Sequence, residues 1–229
     1  MKNSSPMNFL RGILALAALI VPLCASAQMV GSAPPQSQQP QLLIQQIAPD
    51  RWVAGLLTVN IDRLAAPGTL GRQRRENWCW AASVQMVLNL DGVAVTQEQV
   101  VQRIYGGDID RGGTPLQIMN ALSGWGFTFN GRPAILWPRQ LTSYPDMIED
   151  LSLGWPLIVG LKNPDGSGHA EVITAVTYSQ GPNGVPIFQT VVLRDPWPFN
   201  PSRVEMPWSQ FAARVTFIVR NRVTYPQGM

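Results

Sequence analysis

The chain has one histidine and two cysteines among 229 residues, and each scarcity excludes a class of function. A structural zinc site draws four ligands from Cys and His, so these residues cannot supply one. Charge is scarce as well, with 17 Lys and Arg against 14 Asp and Glu for a net +3. Two of those cations, Lys2 and Arg11, sit in an N-terminal stretch without acidic residues, and losing it lowers the net charge to +1. No basic run longer than Arg74-Arg75 remains, so nucleic-acid binding has no electrostatic support. Long hydrophobic runs are absent too. The longest, Gly12 to Cys24, is about a dozen residues against the ~20 of a membrane-spanning helix.

That run, with Lys2 and Arg11 before it and Ala25-Ser26-Ala27 after it, has the layout of a signal peptide over residues 1–27, cleaved after Ala27. Cys24 invites a lipoprotein reading, but Pro22-Leu23 lacks the small residues such a site prefers. The expectation is an exported protein, periplasmic or secreted, with no membrane attachment after cleavage. Export removes Cys24 and leaves one thiol, Cys79. An unpaired cysteine is a liability in an oxidising compartment, so a chain that exports one is expected to use it. Thiol chemistry usually needs a base, and His169 is the one imidazole available.

What remains is about 200 residues, 45% of the chain being hydrophobic and eight residues tryptophan, which suits one packed domain. Residues 28–49 are rich in Gln, Pro and Ser and read as a flexible linker. The domain proper is placed at 50–229. Its first part, 50–72, reads either as a pro-segment covering the site or as an edge strand, the edge strand being favoured.

Helical signals come first. Ala82, Met86 and Leu90 recur at four-residue spacing from Cys79, and Asp91-Gly92 stops the helix. Thr96 with Gln99 is a capping box for a helix to about Ile104, and Thr114-Pro115 opens another that ends near Gly124. A short helix is expected from Pro145 to Leu153. Strands follow, at Leu157 to Leu161, His169 to Tyr178, Ile187 to Arg194 and Arg214 to Arg220. Gln180 to Gly184 forms a hairpin loop, and a helical turn covers Pro207 to Ala213. Helices then antiparallel strands give an α+β domain without internal repeats.

Cys79 begins its helix, where free backbone N–H groups and the helix dipole favour a thiolate. If the hairpin pairs as read, His169 and Asp195 lie at the same open end of adjacent strands. There the carboxylate orients the imidazole and the imidazole holds the thiolate. Glu171 is a weaker candidate for the orienting carboxylate, because it is only two residues from His169 on the same strand face. Trp78 and Trp197 flank these groups as candidate substrate-binding residues. Asp108-Ile109-Asp110 lacks further spaced oxygen ligands and reads as a polar turn rather than a calcium loop.

The sequence resembles the papain-like cysteine proteases over about residues 70–220. Cys79-Trp80-Ala81-Ala82-Ser83 matches the family's Cys-Trp-Ala-x-Ser helix start, and the order Cys, His, Asp agrees. Gln73, six residues before Cys79, matches the family's oxyanion-hole glutamine. Trp197 matches the tryptophan that shields the histidine's partner. The family's Cys-Gly-Ser-Cys is absent, Asp replaces the plant-type Asn, and about 90 residues separate Cys79 from His169. These features look more like compact bacterial members, including bacteriocin-leader peptidases and secreted effector proteases. The resemblance implies a papain-like fold and a cysteine peptidase acting on peptide or protein, with Cys79, His169, Asp195 and Gln73 catalytic. It calls for no cofactor and no metal, and leaves the oligomeric state open. Other fates of the acyl-enzyme stay open: an acyltransferase or amidase, or a transglutaminase-like crosslinker. A non-catalytic binding domain is the remaining alternative.

Overall fold

The computed structural model of the protein describes residues 43–55, 71–129 and 131–225. The signal peptide, most of the linker and residues 56–70 of the strand or pro-segment reading lie outside the described residues.

Three helices precede most of the sheet. Helix α1 (Cys79–Leu90) is buried almost all round, from Trp80 to Leu88. Its apolar residues face both the sheet and its helical neighbours, as expected for a core helix. Asp91 and Gly92 (φ +90°) end it. Helices α2 (Gln97–Tyr105) and α3 (Pro115–Leu122) each begin with the capping box read from sequence, Thr96 with Gln99 and Thr114 with Gln117. Helix α4 (Asp146–Ser152) and helix α5 (Trp208–Arg214) complete the set.

The strands among the described residues are β1 (Ile44–Ala48), β2 (Arg51–Gly55), β3 (Phe127–Phe129), β4 (Arg132–Gln140), β5 (Leu157–Lys162), β6 (Gly168–Gln180), β7 (Pro186–Arg194), β8 (Arg203–Pro207) and β9 (Val215–Thr224). They form one antiparallel sheet of order β1-β2-β6-β5-β9-β4-β3, with β7 also pairing β6 and carrying β8. Residues 44–48, within the range read as linker, thus form a strand. Asp50 turns the chain at φ +58° and returns it as β2, which pairs with the far half of β6. Strand β4 escaped the sequence reading because Pro133 and Pro138 interrupt it, and proline breaks a strand pattern wherever its missing N–H matters.

The sheet is covered on both faces, and β5 records this residue by residue. Ile158 packs with Ala170, Val172 and α1 on one face, while Leu157, Val159 and Leu161 pack with Ile173, Leu193 and Phe211 on the other. This accounts for the continuous apolar run read at 157–161. On the second face Asp150 of α4 accepts from Arg220 Nη2 (2.6 Å) and Arg222 Nε (2.7 Å), pinning that helix to β9. Fold class therefore stands as read: an α+β domain with the helical part first. Among the described residues no helix is long and apolar enough to cross a membrane.

Gly160, in β5, lies so close to Phe217 that a Cβ would meet the ring at 2.1 Å. Gly160→Ala is expected to cost about 1–3 kcal/mol through overpacking. Urea unfolding checks this: the midpoint should fall with the denaturant slope unchanged.

Candidate active site

The ladder between β6 and β7 sets Val172 against Arg194. Asp195 therefore leaves β7 at the end where His169 enters β6, as the hairpin reading requires. The two side chains meet: His169 Nε2 lies 2.7 Å from Asp195 Oδ1. Asp195 is almost fully buried and takes two further donors, the Trp197 backbone N–H on Oδ1 (2.8 Å) and the Asn200 amide on Oδ2 (2.7 Å). Burial opposes its charge, but the His169 hydrogen bond and the other donors outweigh that and hold its pKa below the usual value.

With Nε2 engaged by Asp195, Nδ1 is the ring nitrogen left for Cys79. Burial disfavours the imidazolium, yet hydrogen bonds with Asp195 and Cys79, and their charges, raise His169 to about 10. A histidine raised in this way contributes stability that is fully present below its ordinary ~6.5 and lost as pH rises through about 10. Cys79 is a free thiol at the first position of α1. No side chain caps that helix and no acidic residue lies in its first turn, so its leading N–H groups stay available to an anion.

The segment before Cys79 is held from several sides. Arg72 is buried and donates to the carbonyls of Asp195 (2.6 Å), Asn200 (2.6 Å) and Trp197. Gln97, the first residue of α2, donates to the Arg72 carbonyl (2.8 Å) and accepts from the Arg74 N–H (3.0 Å). The Gln73 N–H donates to the Pro196 carbonyl (2.8 Å). Its side-chain amide donates to the carbonyls of Arg75 and Glu76, both at 2.9 Å. Gln73 is therefore positioned as an anchor of the turn that delivers Cys79. Sequence reasoning missed Arg72 and Gln97; nothing local marks either, because their partners are distant backbone carbonyls and amides.

Trp197 lines the cleft beside Asp195, whereas Trp78 does not reach it. Trp78 is fully buried, with its indole N–H on the Ile109 carbonyl (2.9 Å) and Arg75 stacked over the ring. Trp80 does the same with the Arg111 carbonyl (2.8 Å). The two indoles flanking Cys79 thus clamp the loop at 109–111. Asp110 accepts the Asn77 N–H (2.9 Å) and Asp108 pairs with Arg75, so this loop spends its carboxylates on the chain itself.

Glu171 shares the cleft of about 650 Å³ with Cys79, His169 and Asp195. His169, Glu171 and Asp195 bring three ligand-type atoms within 4.8 Å of one another. The direct bond between His169 and Asp195, with both Asp195 oxygens already accepting, commits two of them to a hydrogen-bond chain rather than to an ion. Glu171 is 5% exposed and its Oε2 has no hydrogen-bond partner among the described residues. Burial, followed by the charge of Asp195, raises its pKa to about 7 against the opposing pull of His169 and Arg214.

Two outcomes follow from these contacts. Arg72→Ala strands three carbonyls and is expected to cost roughly 2–4 kcal/mol in urea unfolding, with Arg72→Lys recovering only part because an ammonium lacks the fork. A raised carboxyl is a stability loss that grows as pH climbs from its unfolded value, ~4.3, through about 7. Glu171→Gln removes the loss, so the variant should exceed the parent in stability, with a margin widening from pH 5 to pH 8 to on the order of 3 kcal/mol.

Residues 62–215 match the family described as "Papain-like cysteine protease AvrRpt2". No curated protein sequence matches the chain. Among solved structures, the peptidase domain of Streptococcus ComA, a bifunctional ABC transporter of a quorum-sensing pathway, is similar at 16% identity with a TM-score of 0.48. That alignment covers 68% of this chain and 96% of the other. A double-glycine-motif protease from an AMS/PCAT transporter, solved with its leader peptide, is similar at 22% identity and TM-score 0.44, covering 68% of this chain and 89% of its own. The family match spans most of the chain and includes Cys79, His169 and Asp195, and on that ground this chain belongs to the papain-like cysteine proteases.

Proposed function

We propose that the chain is an exported cysteine peptidase that cleaves peptide bonds through a Cys79–His169–Asp195 triad and a thioester intermediate. The observation that supports the reading is the 2.7 Å bond between His169 Nε2 and Asp195, which leaves the other ring nitrogen for Cys79 at the N-terminus of α1. An imidazole raised to about 10 keeps its proton through the neutral range and can give it to a leaving group.

In this mechanism Cys79 Sγ forms a bond to the substrate carbonyl carbon. The Cys79 N–H, at the head of α1, receives the developing oxyanion. His169 gives its proton to the leaving amine as the C–N bond breaks, which releases one product and leaves a thioester. Water then attacks the thioester while His169 takes its proton, and the acid departs with the thiolate restored. Both amide hydrogens of Gln73 are engaged by Arg75 and Glu76. Gln73 joins the oxyanion hole by exchanging one of these neutral carbonyl acceptors for the stronger anionic one. Cleavage after Ala27 and action outside the cytoplasm belong to the same proposal.

Labelling with iodoacetamide across pH tests the reading. At pH 6 the parent protein should be alkylated at Cys79 at least tenfold faster than His169→Ala, whose labelling should rise only near ~8.5, the ordinary thiol value. Slow labelling of both proteins on one ordinary titration curve sinks the triad. On a peptide substrate identified by screening, Gln73→Ala should lower kcat by about 10² with little change in KM. A loss of stability alone would make Gln73 only a turn anchor.

A further inference from the structure

Resting on that reading, we infer that Glu171 is a specificity-determining residue that receives a cationic side chain of the substrate on the leaving-group side of the scissile bond.

The placement comes from strand alternation. His169, Glu171 and Ile173 project to one face of β6, the face on which Ile173 packs with Met206 and Phe211. Cys79 belongs to α1, which packs on the opposite face with Ala170 and Val172. The cleft holds Cys79, Glu171, Val204, Met206 and Arg214 together, so it wraps from one face to the other around the imidazole. Because His169 must protonate the departing amine, that half of the substrate passes on the His169 side of the sulfur. It then runs toward the recess where Glu171 lies.

The recess is chemically matched to a cation with an apolar stem. Its floor is a carboxyl 5% exposed, with Oε2 unpartnered among the described residues. Leaving a buried acceptor without a donor is expensive, and an ammonium or guanidinium supplies the missing one. Val204 and Met206 offer apolar wall to the methylenes of lysine or arginine. At the rim the cleft adds the carboxylates of Glu76 and Asp165. The charged groups facing Glu171 are Asp195 and His169, already bonded to each other, and Arg214. Arg214 is turned to its own acceptors, the Lys162 carbonyl (3.1 Å) and Asn163 Oδ1 (3.2 Å).

The test reads the local field at Cys79 without a known substrate. Three methanethiosulfonates of similar size form a disulfide with Cys79 and release methanesulfinate; one carries a quaternary ammonium, one a sulfonate and one no charge. In the parent protein at pH 8 the cationic reagent should label about tenfold faster than the anionic one. Glu171→Gln should bring the two within about threefold, while Glu76→Gln and Asp165→Asn leave most of the preference. Lowering the pH to 5.5 should bring the parent to the ratio of Glu171→Gln and change little in that variant, because both reagent charges are fixed. A ratio unaffected by Glu171→Gln, or one carried by the rim carboxylates, overturns the inference. The neutral reagent reports separately on the thiol: slow labelling by it counts against the peptidase mechanism, whereas fast labelling with no charge preference counts against Glu171 alone.

Discussion

Arg72 is the constraint on which the rest of the site depends. Its guanidinium gathers the carbonyls of Asp195, Trp197 and Asn200, while its own carbonyl is gripped by Gln97 at the start of α2. One residue therefore ties three things together: the approach to Cys79, the helical layer, and the loop that shapes the Asp195 carboxylate. Burying a cation is costly, and here desolvation lowers the Arg72 pKa against the pull of Asp195. Fixed carbonyl dipoles offset that cost. In return, the two sides of the cleft, which are more than 120 residues apart in sequence, are held in a single register.

Around that anchor the charges divide by environment. Asp195 and Glu171 are neighbouring buried carboxyls on the same part of the sheet, yet they are driven in opposite directions. Asp195 collects three donors and stays ionised. Glu171 has no donor on one oxygen and feels the charge of Asp195, so it holds its proton to about 7. Local sequence marks both simply as acidic; the donors that the fold supplies to one and withholds from the other set them apart.

Much of this was legible in the sequence, for identifiable reasons. The bounds of α1, the two capping boxes and the β6–β7 hairpin are local signals, and each appears where residues such as Thr96, Pro115 and Asn183 place it. The scarcity of thiol and imidazole left Cys79 and His169 as the natural pair, and strand-end position selected Asp195 over Glu171 as the group bonded to the ring. Trp78 reads as a cleft residue from its place beside Cys79, but the turn of α1 sends its indole inward to Ile109. Strands β1, β4 and β8 were illegible because their pattern is set by partners: β4 keeps two prolines and β8 exists through its pairing with β7. Arg72 and Gln97 were hidden for the same reason, since hydrogen bonds to distant backbone leave no periodic trace.

The position of β9 has a consequence for how the chain reaches this state. Among the described strands it comes last in sequence, but it lies inside the sheet, between β5 and β4. Until residues 215–224 are available, β3 and β4 have no ladder to the strands that carry His169 and Asp195. Closing the sheet therefore waits on residues 215–224, and contacts of such long sequence separation make folding slow. The domain commits late: a chain cut before Val215 loses the seam that joins the two parts of its sheet, although Gln73, Cys79, His169 and Asp195 all lie upstream of the cut.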